Sequence, residues 1–257
     1  MQDTGSLRMK KHETNKIPHI VAHRGFSYAA PENTLAAYQM AMDAGAEMAE
    51  CDVHLSQDGV AVLLHDDTVD RTTNGTGLAS DKSLAELQSL DAGGWQDPAF
   101  AGERIPTLAE ALGFVRGKMR FIIELKGDAM GPAVLSAMRE VGSSPDDVLI
   151  ISFYYTAIRN IRALDNRLPA AWLWEVLPEN ESDRETLFQR ALQASVEGVG
   201  LPSQYVDQRF VDSAHERGLQ VFVFTVNEAE EMRRIAALGV DALITDRPDL
   251  AQRTLQA

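Results

Sequence analysis

His23-Arg24-Gly25, Glu50-Cys51-Asp52 and His65-Asp66-Asp67 each stand where a short apolar run gives way to a loop. In an extended strand residues two apart face the same way, so Glu50 and Asp52 project together while Cys51 and Val53 face the other side. Two neighbouring carboxylates repel, and a divalent cation relieves that repulsion. Glu124 ends a further apolar run, Phe121-Ile122-Ile123, and supplies a third carboxylate of similar height. Three carboxylates without a cysteine partner favour one hard, oxygen-loving cation, Mg²⁺ or Ca²⁺. Without a metal, the same acids would pair with Arg24 and Lys126. His23 and His65 can each act as acid or base near neutral pH. Arg24 suits two phosphate oxygens at once, and Lys126 offers a second point charge, although a plain salt bridge to the acids serves either cation equally well. The set as a whole suits metal-assisted chemistry on a phosphate ester, with His23 and His65 catalytic and Glu50, Asp52 and Glu124 holding the metal.

Other chemically capable residues carry less. His54 shares the parity of Glu50 and Asp52 but lies further along, at the rim, where a supporting or surface role is expected. His12, His19 and His215 lack polar neighbours in the sequence and read as structural. Cys51 reads as a small buried hydrophobe. Phe153, Trp172, Trp174 and Phe224 lie at strand ends; Phe153, Trp174 and Phe224 are taken as walls of a substrate pocket, though core packing accounts for aromatics there as well. Asp66 and Asp67 either orient His65 or cap the turn that follows it.

These residues need a scaffold, and the rest of the chain describes one. Strand-like runs at 19–22, 48–53, 120–125, 148–151, 170–174, 198–201, 220–225 and 242–245 alternate with helical patterns near 34–44, 107–115, 132–141, 156–164, 183–194, 207–217, 228–237 and from 249. Strict alternation indicates a parallel sheet, and eight units in this length suit a closed (β/α)8 TIM barrel. Asn33-Thr34 caps the first helix, Pro106-Thr107 opens the second, and Asn227-Glu228 opens the seventh. A doubly wound open sheet is the competing architecture, but its usual Gly-rich loop is replaced here by His-Arg-Gly-Phe-Ser. Residues 59–64 predict an extra strand after an Asp58-Gly59 turn, and residues 68–105 a small insertion after strand two. The expected organisation is an N-terminal extension over 1–16, disordered, and a single barrel domain over 17–257.

The chain has 257 residues, 45% hydrophobic and 24% charged, which is ordinary for a globular domain with a full core. A formal charge of −14, with no basic stripe, argues against nucleic acid and against electrostatic docking on anionic lipid. The single cysteine fits a reducing compartment, and no apolar leader or spanning run is visible, so a cytoplasmic protein without stable membrane insertion is expected.

Beyond the triplets above, Pro31-Glu32-Asn33-Thr34, Asp70-Arg71-Thr72-Thr73-Asn74-Gly75, Ile105-Pro106-Thr107-Leu108, Glu124-Leu125-Lys126, Ser152-Phe153, Thr225-Val226-Asn227 and Thr245-Asp246-Arg247-Pro248 follow one another in order. With these segments the chain resembles the glycerophosphodiester phosphodiesterases of the compact soluble bacterial type, over residues 20 to about 250. The resemblance implies a (β/α)8 barrel, catalytic histidines at His23 and His65, metal-binding acids at Glu50, Asp52 and Glu124, and phosphate contacts at Arg24 and Lys126. It implies a small glycerophosphodiester as substrate, cleaved to sn-glycerol 3-phosphate and an alcohol. Attack would come from water, or from a glycerol hydroxyl through a cyclic phosphate. The chain departs from many members at Phe224, where they carry tryptophan. A lysophospholipase D-like activity and a non-catalytic barrel that binds phosphate esters are the alternatives.

Overall fold

A computed structural model describes residues 17–256; the extension expected over 1–16 lies outside them, as does His12. In chain order the strands are β1 (His19–Ala22), β2 (Met48–Leu55), β3 (Ala61–Leu63), β4 (Arg120–Leu125), β5 (Val148–Ser152), β6 (Ala170–Leu173), β7 (Gly198–Pro202), β8 (Gln220–Phe224) and β9 (Ala242–Thr245). All but β3 run parallel, and β1 pairs with both β2 and β9, so eight strands close into a barrel. The first strand is short and meets β2 only at Met48 and Ala49. Further up the same edge of β2, at Val53 to Leu55, the antiparallel β3 takes over from outside the barrel. An edge that would otherwise present unpaired N–H and C=O groups is thereby covered.

Alternation along the strands sorts the core into two layers. Val21, Met48, Ile122, Leu149, Leu173 and Ile244 face inward and fill the barrel. Ile20, Cys51, Val53, Phe121, Ile123 and Ile150 face outward and pack under the helices. Glu50 and Asp52 share the parity of Met48, and Glu124 that of Ile122, so all three carboxylates point inward above the apolar layer. Cys51 is completely buried on the outer side.

The helices start where sequence chemistry provides partners for their free N–H groups. Thr34 caps α1 (Leu35–Asp43), accepting from the Ala37 N–H at 3.2 Å. Within the insertion after β3, Ser83 and Glu86 form a capping box on α2 (Leu84–Gln88); Thr107 and Glu110 do the same for α3 (Leu108–Val115). The insertion also has a core of its own, built from Val62, Leu64, Val69, Leu87 and Ile105. That core fixes where β3 delivers His65. Among the described residues no helix is long and apolar enough to cross a membrane.

The outward orientation of Cys51 gives a simple check. Cys51→Ala should lower stability by about 1 kcal/mol, the usual size for one small buried group removed. Urea denaturation reads that loss, and turnover should be unaffected; a collapse of kcat in a folded Cys51→Ala protein would contradict the assigned strand parity.

Candidate active site

The register of β2 against β4 sets Asp52 directly beside Glu124. With Glu50 they form a buried cluster, each offering an oxygen within 4.8 Å of the others. Lys126 Nζ lies 2.8 Å from Asp52 Oδ1 and 2.6 Å from Glu124 Oε1, and Arg24 Nε lies 3.2 Å from Asp52 Oδ2. Asn33 Nδ2 donates to Asp52 Oδ2 at 2.8 Å, while the Arg24 backbone N–H donates to Glu50 Oε2 at 3.0 Å. Burial opposes ionisation of Asp52, but Lys126 and Arg24 hold its carboxyl well below the usual carboxylate range. For Glu50 the balance reverses: burial first, then the neighbouring Asp52 and Glu124, push it well above. Burial and Asp52 also raise Glu124.

The pairing of acids with Arg24 and Lys126 is therefore real but incomplete. Two cations face three carboxylates, and Glu50 Oε1 is buried with no hydrogen-bond partner. An orphaned carboxylate oxygen beside two others is what a hard divalent cation would complete, and the donor set, all oxygen, suits Mg²⁺ or Ca²⁺. The geometry fits such an ion.

Two loop residues support this cluster from the left-handed backbone region, Arg24 at φ 56° and Asn33 at φ 58°. Non-glycine residues adopt that conformation at a cost, which is tolerated where the surroundings enforce it. For Arg24 it aims the backbone N–H at Glu50. Asn33 is held by Tyr38 OH, which donates to its Oδ1 at 3.1 Å. Gly25, at φ 83°, lets the loop lie against α1, where a Cβ would stand 2.6 Å from that of Ala37.

The two histidines are braced in parallel ways. His23 Nδ1 lies 2.6 Å from Asp246 Oδ1, and Asp246 also accepts from Ser27 Oγ (2.9 Å) and Asn227 Nδ2 (2.6 Å). Burial works against the Asp246 charge, but these donors bring its pKa down to about 2. His65 Nδ1 lies 2.7 Å from Asp66 Oδ1. Arg71 grips Asp66 through Nε (2.7 Å) and Nη2 (3.0 Å), and with its other edge grips Glu32 at 2.7 and 2.8 Å. Glu32 in turn accepts from Arg24 Nη1 at 2.9 Å. A carboxylate only accepts, so each partner draws the imidazole proton onto Nδ1 and leaves Nε2 free to exchange a proton. Burial lowers the pKa of His65, favouring its neutral form.

His23, His65, Arg24, Glu50, Glu124 and Lys126 line one cavity of about 550 Å³. Phe153 and Phe224 form part of its wall, ring edge to ring face at 5.7 Å. Trp174 does not belong there. Leu173 points into the barrel, so Trp174, next along the chain, points out and packs against Phe188 and Phe210 at 5.4 and 6.0 Å between centroids. Trp172 faces the same way, against Tyr155. His54 sits at the rim, its Nε2 3.1 Å from the His65 carbonyl oxygen. Asn227 does not cap a helix: the helix Ala229–Ala237 has Glu228 as its N-cap residue, and Asn227 donates to Asp246 instead. His19 and His215 do have polar company, in Glu47 and Asp241. No sequence pattern singled out Asp246, Ser27, Glu32 or Arg71 individually, and Asn227 stood out only as a helix opener; acidic and amide residues just past the ends of β8 and β9 are the signal that points to Asp246 and Asn227.

The model of the Glycerophosphoryl diester phosphodiesterase family matches residues 23–250. The chain belongs to that family. It is 37% identical over 241 residues to YhdW of Bacillus subtilis (strain 168), a protein provisionally named glycerophosphodiester phosphodiesterase, covering 90% of this chain and 95% of that one. It is 36% identical over 239 residues to the glycerophosphodiester phosphodiesterase of Caldanaerobacter subterraneus subsp. tengcongensis, covering 90% and 94%. Among solved structures, a phosphodiesterase from Oleispira antarctica in complex with its product sn-glycerol-3-phosphate superposes with a TM-score of 0.84 at 32% identity, over 94% of this chain and 98% of that one. The closed barrel is the family's TIM barrel, and membership makes this chain an enzyme of the phosphodiesterase class.

The brace on His23 is open to test. Asp246 has a pKa of about 2 in the folded chain against an ordinary 3.8, so its charge stabilises the fold above pH 4, and that contribution is lost as pH falls towards 2. With partial solvent screening it is worth about 1–2 kcal/mol. Urea denaturation of Asp246→Asn should show this deficit at pH 7, shrinking between pH 4 and 2. A deficit of constant size across that range would remove the assigned charge.

Proposed function

We propose that this chain hydrolyses small glycerophosphodiesters to sn-glycerol 3-phosphate and an alcohol, using a divalent cation at Glu50, Asp52 and Glu124 and acid–base catalysis by His23 and His65. One observation carries the reading. Two imidazoles, each with a carboxylate on Nδ1, face the same cavity as a buried three-carboxylate cluster with one oxygen left unpartnered. The family relationship and the sn-glycerol-3-phosphate bound to the Oleispira antarctica relative support glycerophosphodiesters as the substrate class.

The chemistry follows from placement. A bound divalent cation would supply positive charge to the phosphate oxygens, matching the charge that develops there. Lys126 and Arg24 stand beside the acids and orient the phosphate, Arg24 with its guanidinium plane fixed by Glu32 and Asp52. One histidine takes a proton from the attacking oxygen at Nε2, and the other gives one to the departing alkoxide. Because Asp246 and Asp66 hold the Nδ1 sides, neither ring needs to reorient between its two protonation states. Phe153 and Phe224 present an apolar wall that limits water on the far side of the cavity.

The purified protein, given a panel of glycerophosphodiesters with Mg²⁺ or Ca²⁺, should release glycerol 3-phosphate, and a chelator should stop it. His23→Ala and His65→Ala should each lower kcat by about 10²–10⁴-fold, the usual reach of one general acid or base. Near-normal turnover in both variants would dismiss the acid–base assignment. Binding of phosphate esters without turnover under saturating metal would instead favour a non-catalytic barrel.

A further inference from the structure

A second chamber, about 870 Å³, opens off the catalytic cavity on the His65 side; the two share His65, Glu124, Lys126 and Phe153. Its own walls are His54, Asp66, Asp67, Tyr154 and Glu175. Their charges do not balance. Lys126 is already committed to Asp52 and Glu124, and Asp66 to Arg71 and His65. Asp67 is largely exposed, and among the described residues its side chain has a single ion-pair contact, to His54 at 3.9 Å. Glu175 is exposed, and its side chain has no hydrogen-bond or ion-pair partner among the described residues. Tyr154 leaves 53% of its surface open to solvent. The chamber thus adds one unpaired carboxylate, a second held only by a long contact to His54, and an aromatic side chain to a cavity that already ends at the catalytic histidine.

We propose that this outer chamber is a subsite for a cationic head group, an ammonium or quaternary ammonium carried by the alcohol half of the diester, with Glu175 and Tyr154 as its specificity-determining residues. The proposal rests on the phosphodiesterase reading above. Phe224 and Ile244 line the inner cavity and not the outer one, so the inner cavity would take the constant glycerol half. The open chamber receives the half that varies. A zwitterionic diester matches the resulting field: its phosphate meets Lys126 and Arg24, and its ammonium, two carbons beyond the ester oxygen, enters the side lined by Asp67 and Glu175. An aromatic face attracts a quaternary ammonium through its quadrupole, and a nearby carboxylate adds Coulomb attraction. An anionic head group would meet these carboxylates, and a neutral polyol gains from neither effect.

The test compares kcat/KM for glycerophosphocholine with that for glycerophosphoglycerol, whose head group is neutral. The wild-type ratio should favour the choline ester by about tenfold, and Glu175→Gln and Tyr154→Ala should each reduce the ratio about three- to tenfold, in KM rather than kcat. Both residues are exposed, and thermal melts verify that the variants fold. A wild-type ratio of one or below would overturn the proposal, as would a ratio unchanged in the Glu175→Gln/Tyr154→Ala double variant. If no diester is hydrolysed, the activity reading itself fails. Calorimetric titration with the non-hydrolysable phosphonate analogues of the two esters then reads the preference directly, and equal affinities would overturn the subsite on their own.

Discussion

Three carboxylates buried at one end of a barrel are the constraint around which the rest of this molecule is arranged. Ionised groups removed from water need compensation, and each nearby element supplies some. The strand β4 continues into Lys126, which reaches both Asp52 and Glu124. The loop after β1 turns through the left-handed region so that Arg24 offers both its backbone N–H and its guanidinium. The same loop adds Asn33, itself fixed by Tyr38 beneath. The compensation still falls short at Glu50, and a divalent cation could make up that shortfall.

The histidines depend on the same frame. Arg71 couples them to it, joining Asp66 behind His65 to Glu32 behind Arg24. This pairing explains why the insertion after β3 has a compact core rather than a loose loop: it carries Arg71 and sets the end of β3, from which His65 projects. On the other side, Asp246 and Asn227 come from the ends of the last two strands, so barrel closure between β1 and β9 is what brings His23 its partner. A fold that failed to close would leave the acids together and one histidine unsupported.

Much of this was legible in the sequence, for physical reasons. Strict strand–helix alternation fixed the barrel, and the two-residue strand period turned Glu50, Asp52 and Glu124 inward and Cys51 outward. The same period, counted along β6, would have turned Trp174 outward; its position at a strand end suggested a pocket wall, but Leu173 holds the inward face. Asn227 looked like a helix opener because its type and place suited one, whereas the demand of Asp246 for donors prevailed. The braces themselves were hidden by distance along the chain. His23 and Asp246 are 223 residues apart, and Arg71 and Glu32 are 39 apart, so only closure of the barrel and packing of the insertion reveal them. His19 and His215 likewise gain their partners only through the fold.

The central claim is that Glu50, Asp52 and Glu124 form a divalent cation site held short of charge balance. Calorimetric titration with Mg²⁺ or Ca²⁺ in two buffers of different ionisation enthalpy tests it most directly. Because Glu50 sits well above the usual carboxylate range, binding should be one ion per chain with proton release, and Glu50→Gln should weaken binding and abolish that release. Absence of binding, or binding indifferent to Glu50→Gln, would contradict the account.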